Sequence, residues 1–312
     1  MTQYNAWISQ HIPRLDDKTF VVTGANSGLG FETARLLAQR GASVIAASRN
    51  AAKGQAAVDA ICAELPDARI ELLALDLADL SSVGRFAEEV RSSHGRLHGL
   101  INNAGVMAIP PRSTADGFEM QFGTNHLGHF ALTGLLLPLL LQTPDARVVT
   151  VSSGVHVIGR INFDDLQSEQ SYSDFRVYAQ SKLANLLFTY ELQRQFASHG
   201  ARALALAAHP GYAATNLQAV GPQMAESRTR QWSMGVMNRL MGQTAAMGAL
   251  PTVYAATSPE AQGGEYYGPG SLFSLRGYPK LTRSSEASYD ETVARRLWQV
   301  SEELTGVAYR FR

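Results

Sequence analysis

A chain of 312 residues is long enough for one large α/β domain or two smaller ones, and its 45% hydrophobic content can bury a sizeable core, which excludes a disordered type. Lysine plus arginine and aspartate plus glutamate each total 27, so the formal net charge is zero and the basic excess usual in nucleic-acid binders is missing. The single cysteine, Cys62, has no partner for an intramolecular disulfide, which fits a reducing, cytoplasmic setting; its apolar neighbours favour a plain core thiol.

Residues 1–17 are polar, with scattered Trp7, Ile8 and Ile12 and no basic-then-apolar signal pattern. From Thr19 onward, short β-rich runs alternate with helical patterns, as expected of a parallel sheet covered on both faces. The predicted strands are 19–23, 43–47, 70–75, 99–102, 147–151 and 203–207, with a short seventh over 264–267. Helical patterns cover 29–40, 51–65, 81–92, 118–141 and 174–198. The apolar stretch 127–141 holds His129, Gly134 and Pro138 and is too short to span a bilayer, so it reads as a buried or interface helix. His126 and His129 are three apart with no third ligand nearby, and no metal is expected.

Two segments break the rhythm. Residues 154–174 are polar and strand-poor, and residues 217–248 are rich in methionine and aromatics (Met224, Trp232, Met234, Met237, Met241). Such a methionine-rich stretch reads either as core packing or as an apolar lid over a substrate. The tail 285–306 reads as a capped helix that closes the core. Without repeats or a low-complexity linker, one doubly wound domain spanning 1–312 is expected: a core of 18–216, a lid of 217–248 and a closing segment of 249–312.

The loop Thr23-Gly24-Ala25-Asn26-Ser27-Gly28-Leu29-Gly30 follows the apolar run Phe20-Val21-Val22 and leads into an amphipathic helix. Glycines there let the backbone turn tightly and approach a pyrophosphate, whose charge is met by the helix N-terminus. Far downstream, Tyr178 and Lys182 are four apart and share one helix face, so a cation stands one turn from a phenol. Each feature alone is weak evidence. In this order and about 150 residues apart, they resemble the short-chain dehydrogenase/reductase family. The match extends over 18–306, and Ser48-Arg49-Asn50, His209-Pro210-Gly211 and Ser181-Lys182-Leu183-Ala184-Asn185 resemble its retinol dehydrogenase and protochlorophyllide reductase branch.

That resemblance implies a single Rossmann domain with a parallel seven-stranded sheet flanked by helices. It implies a nicotinamide dinucleotide held by Gly24, Asn26, Ser27, Gly28, Leu29 and Gly30. The second strand ends in Ala47-Ser48-Arg49-Asn50, with no acid to bond a ribose 2′-hydroxyl. Arg49 can instead make charge-assisted bonds to a 2′-phosphate, with Lys53 as a second cation, so NADP(H) is expected over NAD(H). By resemblance, Asp76-Leu77 meets the adenine, Asn103-Ala104-Gly105 lies against the ribose, and Pro210, Gly211 and Thr215 hold the nicotinamide carboxamide. Asn102 is expected to tie neighbouring strands together.

The resemblance also gives a reacting set of Asn125, Ser153, Tyr178 and Lys182. Tyr178 is the general acid or base, its ordinary pKa of about 10 lowered by Lys182, which also grips the nicotinamide ribose. Ser153 steadies the substrate oxygen, with Ser152 as the neighbouring alternative, and Asn125 orders a water beside the lysine or else bonds a backbone carbonyl. Tyr212 stands where protochlorophyllide reductases keep a cysteine, so light-driven double-bond reduction is not expected. No membrane anchor of the animal retinol dehydrogenase kind is read. The 25 residues between Ser153 and Tyr178 exceed the spacing of compact relatives, and the inserted stretch either walls the site or blocks the helix surface through which relatives dimerise.

The expectation is an NADP(H)-dependent oxidoreductase interconverting a carbonyl and an alcohol on an apolar small molecule, cytoplasmic, monomeric or homodimeric, without nucleic-acid partners. An enone or imine reductase on the same scaffold, or an NADPH-binding protein without turnover, are the alternatives.

Overall fold

The computed structural model describes residues 2–212, 243–271 and 274–311. Its elements follow the expected alternation: β1 Thr19–Thr23, α2 Gly28–Gln39, β2 Ser43–Ser48, α3 Ala51–Glu64, β3 Arg69–Ala74, α4 Leu80–Ser93 and β4 Gly99–Asn102. The second half continues through α5 Met120–Phe122, α6 Gly128–Gln142, β5 Arg147–Val151, α7 Asp174–Ser198 and β6 Leu204–Ala208, then α8 Ala245–Thr257, β7 Tyr266–Pro269, β8 Pro279–Thr282 and α9 Glu291–Thr305. The strand residues are largely β-branched or small and apolar, which suits a sheet buried on both faces. Gly99 is needed because a Cβ there would lie 2.3 Å from the Phe20 ring on the neighbouring strand.

The sheet has eight strands in the order β3-β2-β1-β4-β5-β6-β7-β8, which corrects the expected seven. The first seven are parallel, while β8 runs antiparallel to β7 with Tyr267 opposite Leu281. The added strand, Pro279-Lys280-Leu281-Thr282, is a four-residue edge that leaves Leu281 54% exposed. It owes its order to the ladder offered by β7 and has no apolar alternation of its own to read.

Three further departures are local. A helix precedes the sheet, α1 Gln3–His11, capped by Thr2; the scattered apolar residues are its inner face, with Ile8 and Ile12 buried and Trp7 stacked on Tyr278. The single helix expected over 118–141 is interrupted by a π turn, Gly123–Leu127, whose wider spacing is closed by the Gly128 N–H bonding the Gly123 carbonyl. The helix expected over 285–306 is a 3₁₀ turn, Glu286–Tyr289, followed by α9, which Asp290 caps by accepting from the Thr292 and Val293 N–H groups. The first residues of helix α8 fall within the range expected as a lid; residues 217–242 of that range lie outside the described residues.

α6 is apolar all round and buried, as expected, and no helix among the described residues is long and apolar enough to cross a membrane. Phe130 on α6 packs edge-on to Trp298 of α9 at 5.2 Å and tilted on Tyr309 of the tail at 4.8 Å, with Phe188 of α7 completing the group. We expect Phe130→Ala to destabilise the protein by about 3–5 kcal/mol, because its fully buried ring leaves a void that its three aromatic neighbours cannot close. Urea unfolding would show this as a lower midpoint at unchanged slope.

For the site, the decisive feature is the β1–β4 adjacency. The strand order reverses there, and the carboxyl ends of both strands open a crevice of the kind in which α/β sheets bind ligands.

Candidate active site

The glycine loop turns between β1 and α2 through two left-handed glycines, Gly24 at φ +67° and Gly28 at φ +56°. Gly30 admits the loop against α2: a Cβ there would lie 2.3 Å from the Gly24 carbonyl oxygen. Ser27 precedes the helix in an extended conformation and makes no side-chain cap, so the first-turn N–H groups of α2 are left for a ligand. They face a groove of about 780 Å³ that also meets Asn26 and Leu29.

The far wall of this groove carries the two cations anticipated from sequence. Arg49 follows β2, Lys53 lies in the first turn of α3, both are exposed, and neither has an ion-pair partner among the described residues. Ser48 is buried and donates to the Asn50 carbonyl at 3.1 Å, so it shapes the turn that presents Arg49. Asp76 follows β3 and accepts from the Ala78 N–H at 3.0 Å, while Leu77 is buried against Gly128.

Between the walls, Thr23 joins β1 to β4. Its hydroxyl accepts from the N–H groups of Asn103 and Ala104, both at 2.9 Å, and the Asn103 side chain donates to the Thr23 carbonyl at 2.7 Å. The residue that ties neighbouring strands is therefore Asn103. Asn102, assigned that part from sequence, points the other way and donates to Thr133 on α6 at 3.0 Å. Gly105 carries the turn to the reacting set: its added Cβ would lie 3.0 Å from Asn125 Oδ1 and 3.6 Å from Lys182 Nζ.

Tyr178 and Lys182 are buried on one face of α7, with Lys182 Nζ 5.7 Å from the phenol ring centre and donating to the Val151 carbonyl at 3.1 Å. Burial pushes the Tyr178 phenol up to about 12, and a hydrogen bond with Ser153 draws it only part of the way back. Burial likewise pushes the Lys182 ammonium down to about 8. In the chain alone burial is the largest influence on the phenol and raises its pKa, so the lowering expected from Lys182 works against desolvation.

The choice between the paired serines follows from the helix behind them. Ser152 is buried and its hydroxyl donates to the Lys182 carbonyl at 2.8 Å, whereas Ser153 faces Tyr178. Asn125, inside the π turn, uses its side chain on Val106 N–H and Val106 carbonyl at 2.8 and 2.9 Å and on Ser181 Oγ at 3.0 Å. Its side chain is thus a brace between the cofactor turn and the Tyr178 helix.

His156 belongs to the site although no sequence motif marked it. Its Nε2 accepts from the Ser285 N–H at 3.0 Å, so Nδ1 carries the proton and donates to the Ser153 carbonyl at 2.7 Å. The Ser153 backbone is thereby fastened to the segment before α9. Its only sequence signal was a histidine three residues after the serine. On the other side, Pro210 accepts from Gln243 at 2.6 Å, and Gly211, at φ +65°, leaves no room for a Cβ against the Leu275 carbonyl. Thr215 lies outside the described residues. His126 and His129 are both buried, and no cluster of three metal-ligating side chains occurs among the described residues.

Comparison with known proteins finds one family throughout. A family model described as short chain dehydrogenase matches residues 18–225. Human polyprenol dehydrogenase is 40% identical over 304 residues, covering 95% of this chain and 87% of its own. Mouse retinol dehydrogenase 14 is 41% identical over 302 residues, covering 93% and 86%. A Mycobacterium paratuberculosis protein of known crystal structure is 45% identical with a TM-score of 0.78, covering 96% of this chain and 97% of its own.

Proposed function

The chain belongs to the short-chain dehydrogenase family and is an oxidoreductase; on that premise we propose that it uses NADP(H) to interconvert a carbonyl and an alcohol on an apolar small molecule. The observation that carries the reading is Gly105, which lines the glycine-loop groove and whose added Cβ would lie 3.6 Å from the Nζ of Lys182, a buried lysine on the same helix face as the buried Tyr178.

The groove fits a dinucleotide phosphate. Glycines clear the backbone for close approach, and the uncapped start of α2 offers N–H donors to a pyrophosphate. Arg49 and Lys53 supply two cations, unpaired among the described residues, where a 2′-phosphate would lie, and the strand end has no acid to favour a bare ribose. When bound, the nicotinamide supplies the hydride chemistry. Tyr178 holds the proton that a carbonyl oxygen needs and, with its pKa raised to about 12, is fully loaded at neutral pH. Ser153 donates to the same oxygen as charge develops on it. Lys182 keeps a cation beside that phenol, and Asn125 braces Val106 against Ser181 so that the turn and the helix hold register. Similarity to polyprenol and retinol dehydrogenases supports an apolar alcohol or its carbonyl as substrate.

The test is cofactor consumption by purified protein against a panel of aldehydes, ketones and enones with NADPH and NADH in parallel. We expect turnover that prefers NADPH, with Arg49→Ala raising the KM for NADPH by about 10–100-fold and leaving NADH unchanged, as befits loss of a charge-assisted bond worth about 1.5–3 kcal/mol. Equal use of both cofactors by the unaltered enzyme would remove the 2′-phosphate assignment.

A further inference from the structure

α6 docks on the sheet through a polar contact in otherwise apolar surroundings. Its His129 is buried, with Nε2 2.9 Å from Thr23 Oγ1 on β1 and Nδ1 3.0 Å from the Asn125 carbonyl in the π turn. The hydrogens can be assigned by accounting. A carbonyl only accepts, so Nδ1 must carry a proton; burial pushes the imidazole pKa down to about 4, so the ring is neutral and Nε2 is bare. Thr23 Oγ1 already accepts from the Asn103 and Ala104 N–H groups, which use both its lone pairs. Its one hydrogen therefore points to His129 Nε2 at 2.9 Å in preference to the Ile101 carbonyl at 3.2 Å. A second rung fixes the same residue: Asn102 donates to Thr133 Oγ1, which donates to the His129 carbonyl at 2.7 Å.

We propose that His129 is a positioning residue that links the cofactor-binding turn to the reacting set, one ring nitrogen holding Thr23 and with it Asn103 and Ala104, the other holding the backbone of Asn125. The inference rests on the cofactor and site assignments made above. Each nitrogen serves one half of the site, so the two halves are separable by substitution. Glutamine places an amide oxygen near the position of Nε2 and can accept from Thr23 but does not hold Asn125. Asparagine places an amide N–H near the position of Nδ1 and can hold Asn125 but does not reach Thr23.

The first readout is independent of function. Imidazole ¹⁵N NMR of the purified protein should show His129 neutral, protonated on Nδ1, with an Nε2 signal that moves in Thr23→Val. A His129 ring protonated on Nε2 overturns the proposal. The second readout is a split between binding and turnover. His129→Gln should retain NADPH affinity within about threefold while losing about tenfold in kcat, and His129→Asn should do the reverse, each step being near one hydrogen bond's worth. His129→Phe should lose both, and adding Thr23→Val to it should weaken NADPH binding little further. Equal losses of both quantities in the Gln and Asn variants, tracking only their thermal stability, would reduce His129 to a packing residue and overturn the proposal. Failure of the unaltered protein to bind NADPH would instead strike the cofactor assignment, and the NMR result would still decide the tie.

Discussion

Replacing Tyr178 by phenylalanine is expected to lower carbonyl reduction by at least about a hundredfold, the usual worth of a positioned general acid, while NADPH binding stays nearly unchanged. The ring and its packing on α7 are retained; only the hydroxyl and its hydrogen bond to Ser153 are lost. Stopped-flow hydride transfer together with NADPH fluorescence titration separates the two quantities. Near-normal turnover in this variant would sink the acid–base assignment. The raised pKa gives a direction-dependent pH profile as well. The phenol stays protonated between pH 6 and 8, so reduction should vary little there. Alcohol oxidation needs the phenolate, whose fraction grows about tenfold per pH unit below the pKa, so oxidation should climb steadily with pH.

Lys182→Met is expected to give an enzyme that is more stable yet about 10²–10³-fold slower, the range seen when one preorganised electrostatic donor is removed from a site. Its folded pKa, pushed down to about 8 from 10.5, means that below pH 8 the native state confines a charged amine in a buried site. That confinement costs on the order of 3 kcal/mol at 1.36 kcal/mol per pKa unit. The sign follows from proton counting. Between pH 8 and 10.5 the unfolded chain keeps the proton that the folded chain has released, so stability of the unaltered protein rises across that window. The methionine variant should lack this rise and be more stable at pH 7. Urea unfolding at pH 7 and pH 10 would show it, and a variant less stable at pH 7 would contradict the buried-charge account.

Both expectations use residues legible in the sequence, but they depend on burial, which the sequence did not display. Tyr178 and Lys182 were legible by their spacing taken together with the upstream glycine loop, since four residues place two side chains on one helix face whatever surrounds them. How far burial raises the phenol is a property of every group packed about α7. The serine pair shows the same division. Val149-Thr150-Val151-Ser152-Ser153 identified a strand ending at the ligand edge of the sheet, and resemblance favoured Ser153, but only α7 shows that the Lys182 carbonyl takes the Ser152 hydroxyl while Ser153 faces Tyr178.

The π turn, Gly123-Thr124-Asn125-His126-Leu127, had no periodic signature, because an amphipathic count over 118–141 cannot register one extra residue. Its cause is tertiary: Gly123 and Gly128, at its two ends, let the chain press against Thr114 and the Leu77 carbonyl, where a Cβ would lie 2.5 and 2.4 Å from them. Asn125 is turned toward Val106 and Ser181 in between.

By itself the sequence determined the parallel α/β sheet, the glycine loop at its switch point, the cations after the second strand and the tyrosine–lysine pair. These are local matters of periodicity, steric freedom and charge, each set within a few neighbouring residues. The eighth strand, the bracing of Asn125, the hydrogen-bond partners of His129 and His156 and the directions in which burial shifts Tyr178 and Lys182 were decided only by the tertiary structure. Each depends on a partner far along the chain, and the strength of a hydrogen bond or a charge is set by the water that the surrounding packing removes.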